Sequence, residues 1–131
     1  MNRPIKFRIW DANHKKMHYS GLKDPAAAIA VSIYDNSGHK WIEVMQFIGK
    51  NDSKNKPIYE GDIVSYFEYV ELGDKTKYVR VVKFCEGLSS FGMARNFHED
   101  CCNYFWEGVV SGITVVGNFF ENPELLNENN I

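Results

Sequence analysis

The chain has 131 residues, 44% of them hydrophobic and 24% charged, with a formal net charge of −2. That balance excludes a disordered segment, and the length fits one domain with core enough to fold without staples. No apolar run reaches the roughly 18 residues of a membrane-spanning helix, and the opening stretch has no apolar signal-peptide core, so a cytoplasmic protein without a membrane partner is expected.

Nine Phe, seven Tyr and three Trp bring the aromatic share to 15%, which suits half-buried pleated surfaces and leans the chain towards strands. Ile5 to Trp10 alternates, with Ile5, Phe7 and Ile9 on one face and Lys6 and Arg8 on the other. Asp11-Ala12-Asn13-His14 supplies a turn and Lys16 to Tyr19 the returning strand, giving an N-terminal hairpin. Residues 24–34 carry two signals. Asp24-Pro25 starts a helix, whereas Ile29, Val31 and Ile33 alternate like a strand; the reading is one helical turn, then a strand.

Trp41 to Ile48 is a strongly apolar strand, and residues 49–57 are a polar loop. Tyr59-Glu60-Gly61-Asp62 is a tight turn, with Gly61 and Asp62 as its structural residues, and it launches a strand from Ile63 to Val70. After a turn at Leu72 to Lys75, the strand Tyr78 to Cys85 sets Val79 and Val81 on one face and Val82 and Phe84 on the other, the pattern of a central strand. Phe91 to Met93 forms a short strand, residues 95–107 a loop or short helix, and Ile113 to Phe120 a closing strand that pairs with the central ones. Asn122-Pro123-Glu124 then opens a short C-terminal helix docked by Leu125 and Leu126. The fold expected is all-β: a strongly bent sheet or small SH3-like barrel with an N-terminal hairpin and a short C-terminal helix, in one domain over residues 1–131.

Charge is distributed unevenly. Residues 1–23 hold six bases against the single acid Asp11, and residues 97–131 hold six acids and no Lys or Arg. A chain of opposite ends and many rings suggests self-association into a homo-oligomer. The same basic hairpin supplies a candidate binding surface in Arg8, Trp10, Lys15, Lys16 and Tyr19, where bases and rings could meet phosphates and stacked nucleobases. Against nucleic acid stands the acidic net charge, so it is not the favoured partner.

His98-Glu99-Asp100-Cys101-Cys102 has metal-capable side chains, but adjacent cysteines do not match the spacing that wraps a zinc ion. Cys85, Cys101 and Cys102 are therefore read as three thiols. No phosphate loop, nucleophile elbow or paired-carboxylate spacing marks an enzyme, and no catalytic residue, metal or cofactor is assigned.

Four blocks resemble the YopX family of phage and prophage proteins. They are Phe7-Arg8-Ile9-Trp10-Asp11 with Lys15-Lys16-Met17; Val44-Met45-Gln46-Phe47 with Ile58-Tyr59-Glu60-Gly61-Asp62-Ile63-Val64; the looser Val81 to Gly92; and Val115 to Leu126. Residues 20–40 and 49–56 depart from the pattern. The resemblance implies a phage or prophage origin and a mostly β fold, and carries no biochemical activity with it. The reading is an accessory protein acting through contacts with a phage or host protein, with weak nucleic-acid binding by the basic hairpin as the alternative and an enzyme less favoured.

Overall fold

The structure is a computed structural model that describes residues 4–20, 42–69, 73, 75–96 and 110–128. Among them the chain makes eight strands: β1 (Phe7–Asp11), β2 (Lys16–Ser20), β3 (Ile42–Asn51), β4 (Pro57–Tyr59), β5 (Asp62–Tyr69), β6 (Lys75–Cys85), β7 (Ser90–Ala94) and β8 (Val110–Asn118), followed by a C-terminal helix, Glu124–Glu128. They form two antiparallel sheets ordered β2-β1-β3-β4 and β7-β6-β5-β8, one of them curled into a half-barrel. The all-β expectation, the N-terminal hairpin, the central position of β6 and the short C-terminal helix all stand in this architecture.

The hairpin turns where its chemistry allows. Asp11 Oδ1 accepts the N–H groups of Asn13 and His14 at 3.0 and 3.2 Å, and its Oδ2 lies 2.7 Å from His14 Nδ1. The side-chain bond from His14 leads in holding the Asp11 carboxyl below its ordinary range. The register then sets Arg8 opposite Tyr19 and Met45, and Ile9 opposite His18 and Val44.

The segment 49–57 differs from the expected loop. β3 continues through Gly49, whose φ is +88°, to Asn51, and Pro57–Tyr59 returns beside it as β4 with a register shift between Phe47 and Asn51. The polar side chains concealed a strand because backbone pairing, not side-chain apolarity, makes the ladder. Asp52 pins the short turn that is left. Its Oδ1 accepts the N–H groups of Lys54 and Lys56 at 2.9 and 2.8 Å, and its Oδ2 accepts that of Val115 at 2.9 Å. Burial alone would raise this carboxyl, but the Val115, Lys56 and Lys54 N–H groups together hold it below its ordinary range.

The second sheet is covered on both faces. Val64, Tyr66, Val82 and Met93 pack with Ile58 of β4 and Ile48 of β3. Ile63, Val79, Val81 and Ala94 on the opposite face pack with Leu126, Leu125 and Phe119. Period-two alternation in β5 and β6 serves both layers at once. Each fully buried Ile or Val contributes about 1.5–3 kcal/mol relative to exposure.

β8 starts earlier than expected and stops at Asn118, so Phe119 and Phe120 belong to the turn after it. Asn118 ends the strand: its Oδ1 accepts the N–H groups of Phe120 and Glu121 at 3.0 and 2.8 Å, and its Nδ2 donates to Glu121 Oε1 at 2.8 Å. One expectation is corrected outright. Cys85 is disulfide-bonded, so the chain does not carry three thiols. The thiol reading rested on compartment, whereas pairing is decided by how close two cysteines come in the fold and how their Cβ atoms are directed. Cys101 and Cys102 lie outside the described residues, as do the readings for residues 24–34 and 97–107. Among the described residues no helix is long and apolar enough to cross a membrane.

Candidate functional site

The chain passes from the first sheet to the second through one turn, Glu60-Gly61. Gly61 has φ +85°, in the left-handed region where a Cβ is costly. Its N–H donates to Val82 O at 2.8 Å and its carbonyl accepts the Phe119 N–H at 2.8 Å, while the Glu60 N–H donates to Gln46 O at 2.9 Å. Asp62 closes the turn by accepting the Tyr59 N–H on Oδ2 at 2.9 Å.

Arg8 reaches into this joint from β1. Its Nη1 lies 2.7 Å from Asp62 Oδ1 and its Nη2 donates to Glu60 O at 2.9 Å, and both side chains are almost fully buried. The guanidinium also sits 5.0 Å from the centre of the Tyr59 ring. Burial pushes the Asp62 carboxyl up, against the pull of Arg8 and the Tyr59 N–H. Next to the pair, Trp10 stacks on Phe120 with centroids 5.8 Å apart. Residues from the start, middle and end of the chain thus meet at one point.

Beside that joint lies an open cleft of about 670 Å³, lined by Gln46, Glu60, Phe84, Ser89, Ser90 and Phe91. Phe84 and Phe91 are cross-strand partners on β6 and β7, edge to face with centroids 5.4 Å apart. They continue the face that buries Val82 and Met93, yet Phe84 remains 41% exposed. Ser89 turns the chain between them with φ 51°. Glu60 lines the same cleft, its Oε1 accepting the Gln46 N–H at 2.8 Å, and its Oε2 has no hydrogen-bond partner among the described residues. Burial raises the Glu60 carboxyl above its ordinary range, opposed by the Gln46 N–H and by the charge of Arg8.

The raised carboxyl makes a prediction with a definite sign. A carboxyl whose folded value lies above its unfolded value favours the fold at acid pH, and that contribution is lost as pH rises through the folded value. Neutral Gln at position 60 keeps an acceptor for the Gln46 N–H and removes the buried charge. Glu60→Gln is therefore expected to raise the thermal midpoint at neutral pH, with the advantage vanishing in acid. Melting curves taken from pH 3 to 8 check this; a variant less stable than the parent at neutral pH would contradict it. A gain in Glu60→Gln would mark a charge kept at a cost in stability, as functional carboxylates often are.

The model of the family described as YopX protein matches residues 6–127. The chain belongs to the YopX family. Among solved structures, the protein EF1440 from Enterococcus faecalis is similar in fold, with a TM-score of 0.57 and 22% identity over 95% of this chain and 99% of that chain. At that identity the likeness concerns the fold alone. No curated protein matches.

The blocks that carried the YopX resemblance contribute much of the joint: Arg8 and Trp10 from the first, Tyr59 to Asp62 from the second, and Asn118 to Phe120 from the last. Gly61, with φ +85°, and Asp62, which accepts the Tyr59 N–H, both lie at the turn. The five candidate binding residues do not stay together. Lys15 and Lys16 are exposed at the hairpin tip and Tyr19 is 55% exposed, its ring 5.6 Å from that of Tyr59. Arg8 and Trp10 are buried, because alternation puts them on the sheet face that turns towards the joint. The cleft residues went unread as a group, although Glu60 stood inside the turn motif and Phe84 on the second apolar face of β6.

Proposed function

We propose that this YopX-family chain is an accessory protein of a phage or prophage that acts through contact with another protein, and that the cleft between the sheets is its contact surface. The observation that carries the reading is the half-exposed Phe84–Phe91 pair, an extension of the core that opens beside the Glu60 carboxylate. Aromatic rings in a concave, partly polar setting favour protein recognition. The phage or prophage setting rests on the family resemblance alone.

The alternative is weak nucleic-acid binding by the hairpin. It keeps Lys15, Lys16 and Tyr19, but Arg8 is engaged with Asp62 and Trp10 with Phe120. A carboxylate at the cleft repels phosphate, so the two readings concern separate surfaces. Self-association is a further form of protein contact that the uneven charge supports; light scattering giving a mass near 15.1 kDa at low and moderate salt removes it.

The deciding experiment compares capture from nuclease-treated lysates of phage-infected bacteria by the parent protein, Phe84→Ser and the double variant Lys15→Ala with Lys16→Ala. Capture of a protein lost with Phe84→Ser and kept by the lysine variant supports the cleft. Capture indifferent to Phe84→Ser, or salt-dependent oligonucleotide binding lost with the lysine variant, overturns it.

A further inference from the structure

We propose that the cleft takes an arginine side chain of a basic protein segment, with the guanidinium lying between the Glu60 carboxylate and the Phe84 ring. This inference rests on the reading of the cleft as a protein contact surface and names the chemistry of its occupant.

The groups lining the cleft are complementary to one kind of side chain. Glu60 Oε1 is occupied by the Gln46 N–H, whereas Oε2 has no partner among the described residues. Ser89 and Ser90 line the same space, and their hydroxyls can act as further acceptors. A guanidinium brings five N–H donors and no acceptor, so it satisfies a carboxylate and hydroxyls without leaving a lone pair facing another. Its planar faces stack on aromatic rings. The fold already uses that arrangement elsewhere: Arg8 lies 5.0 Å from the Tyr59 ring centre and Arg80 lies 4.9 Å from that of Tyr78. Phe84 offers a 41% exposed ring that lines the same cleft as the Glu60 carboxylate, and cation–ring contacts among the described residues lie on Phe47, Tyr59 and Tyr78.

The rival occupants fit less well. A phosphate or an acidic peptide meets the Glu60 charge. A purely apolar side chain would cover the Phe pair but bury Oε2 without a donor from itself, leaving a desolvated charge unsatisfied. A lysine ammonium can also meet ring and carboxylate, but it is a point charge, whereas the planar guanidinium lies flat on the ring while its fork of N–H donors reaches carboxylate and hydroxyls together. Because the pairing needs ionised Glu60, binding should be lost as pH falls through the raised value of that carboxyl.

The test is a nuclear magnetic resonance titration of the full chain with N-acetyl-arginine amide, and with N-acetyl-citrulline amide as its neutral isostere. Saturable shifts of the Gln46, Ser89 and Ser90 amides with arginine and not with citrulline are expected. Glu60→Gln should weaken the arginine interaction about tenfold, as for loss of a charge-assisted bond, and Phe84→Leu about threefold to fivefold. Unchanged circular dichroism of both variants separates these effects from unfolding. No saturable shift in the cleft, equal response to citrulline, or undiminished binding by Glu60→Gln overturns the inference. If the titration fails while Phe84→Ser still abolishes partner capture, the contact surface stands and the arginine assignment falls.

Discussion

Arg8→Ala is expected to lower the unfolding free energy by about 3–5 kcal/mol, the usual cost of removing one member of a buried ion pair. Three losses combine at one place. Asp62 keeps its buried charge without the 2.7 Å partner, Glu60 O loses its donor, and Tyr59 loses the cation beside its ring. Burial already raises the Asp62 carboxyl, and without Arg8 it rises further. A raised carboxyl disfavours the fold as pH increases through its folded value, so the deficit should be largest near neutrality and shrink in acid as Asp62 takes up a proton. Urea unfolding at several pH values measures both features. Arg8→Leu combined with Asp62→Leu should cost less than Arg8→Ala alone, since no bare charge remains. Arg8→Lys keeps the charge but cannot reach Asp62 and Glu60 O in the same fork, and should fall between. A loss under about 1 kcal/mol in Arg8→Ala, within the range of ordinary surface changes, would show that the pair does not hold the joint.

The same expectation bears on the choice of hairpin substitutions for testing nucleic-acid binding. Arg8 belongs with bases and rings in the linear sequence, and replacing it along with Lys15 and Lys16 would reduce any nucleic-acid affinity. Such a loss would have a second cause, because a variant lacking Arg8 is expected to be destabilised as well. Lys15 and Lys16 alone are the clean substitutions, being exposed at the tip.

The strands and their turns were legible because short-range chemistry fixes them. Asp11 binds its own next N–H groups, Gly61 takes a positive φ, and Val79, Val81 and Val82 alternate into two apolar layers. Burial of Arg8 was not legible, since alternation gives a face but not which face meets a second sheet. β4 was hidden because Pro57–Tyr59 is only three residues long and follows polar neighbours. The cleft depends on contacts between residues far apart in sequence: Gln46 and Glu60 come from one side, Phe84 to Phe91 from the other. No local pattern signals such a meeting. The Cys85 disulfide was missed for the same reason, its geometry being tertiary.

Gly61→Ala is the second substitution with a large expected effect, and it links the joint to the cleft. With φ +85°, an L-residue at this position incurs about 1–2 kcal/mol from the left-handed backbone. The added Cβ would stand 2.9 Å from Met45 Sδ, 3.4 Å from Phe120 Cε2 and 3.5 Å from Arg8 Nη2. Met45 is flexible but 3% exposed, so its thioether has little room to retreat, and overpacking of this kind costs about 1–3 kcal/mol more. A double-mutant cycle separates the two contributions. In a Met45→Ala background the crowding is relieved, and the penalty of Gly61→Ala should fall towards its backbone share. The strain has a route to function. The Gly61 N–H and carbonyl hold Val82 and Phe119, and the preceding residue carries the carboxylate of the cleft. A shift of the turn would therefore move Glu60 relative to Phe84. Gly61→Ala, where still folded, should weaken arginine binding even though no cleft side chain has been changed. Denaturant unfolding and the same titration measure the two consequences, and a variant within about 0.5 kcal/mol of the parent, the scatter of neutral surface changes, would show that the turn tolerates a Cβ after all.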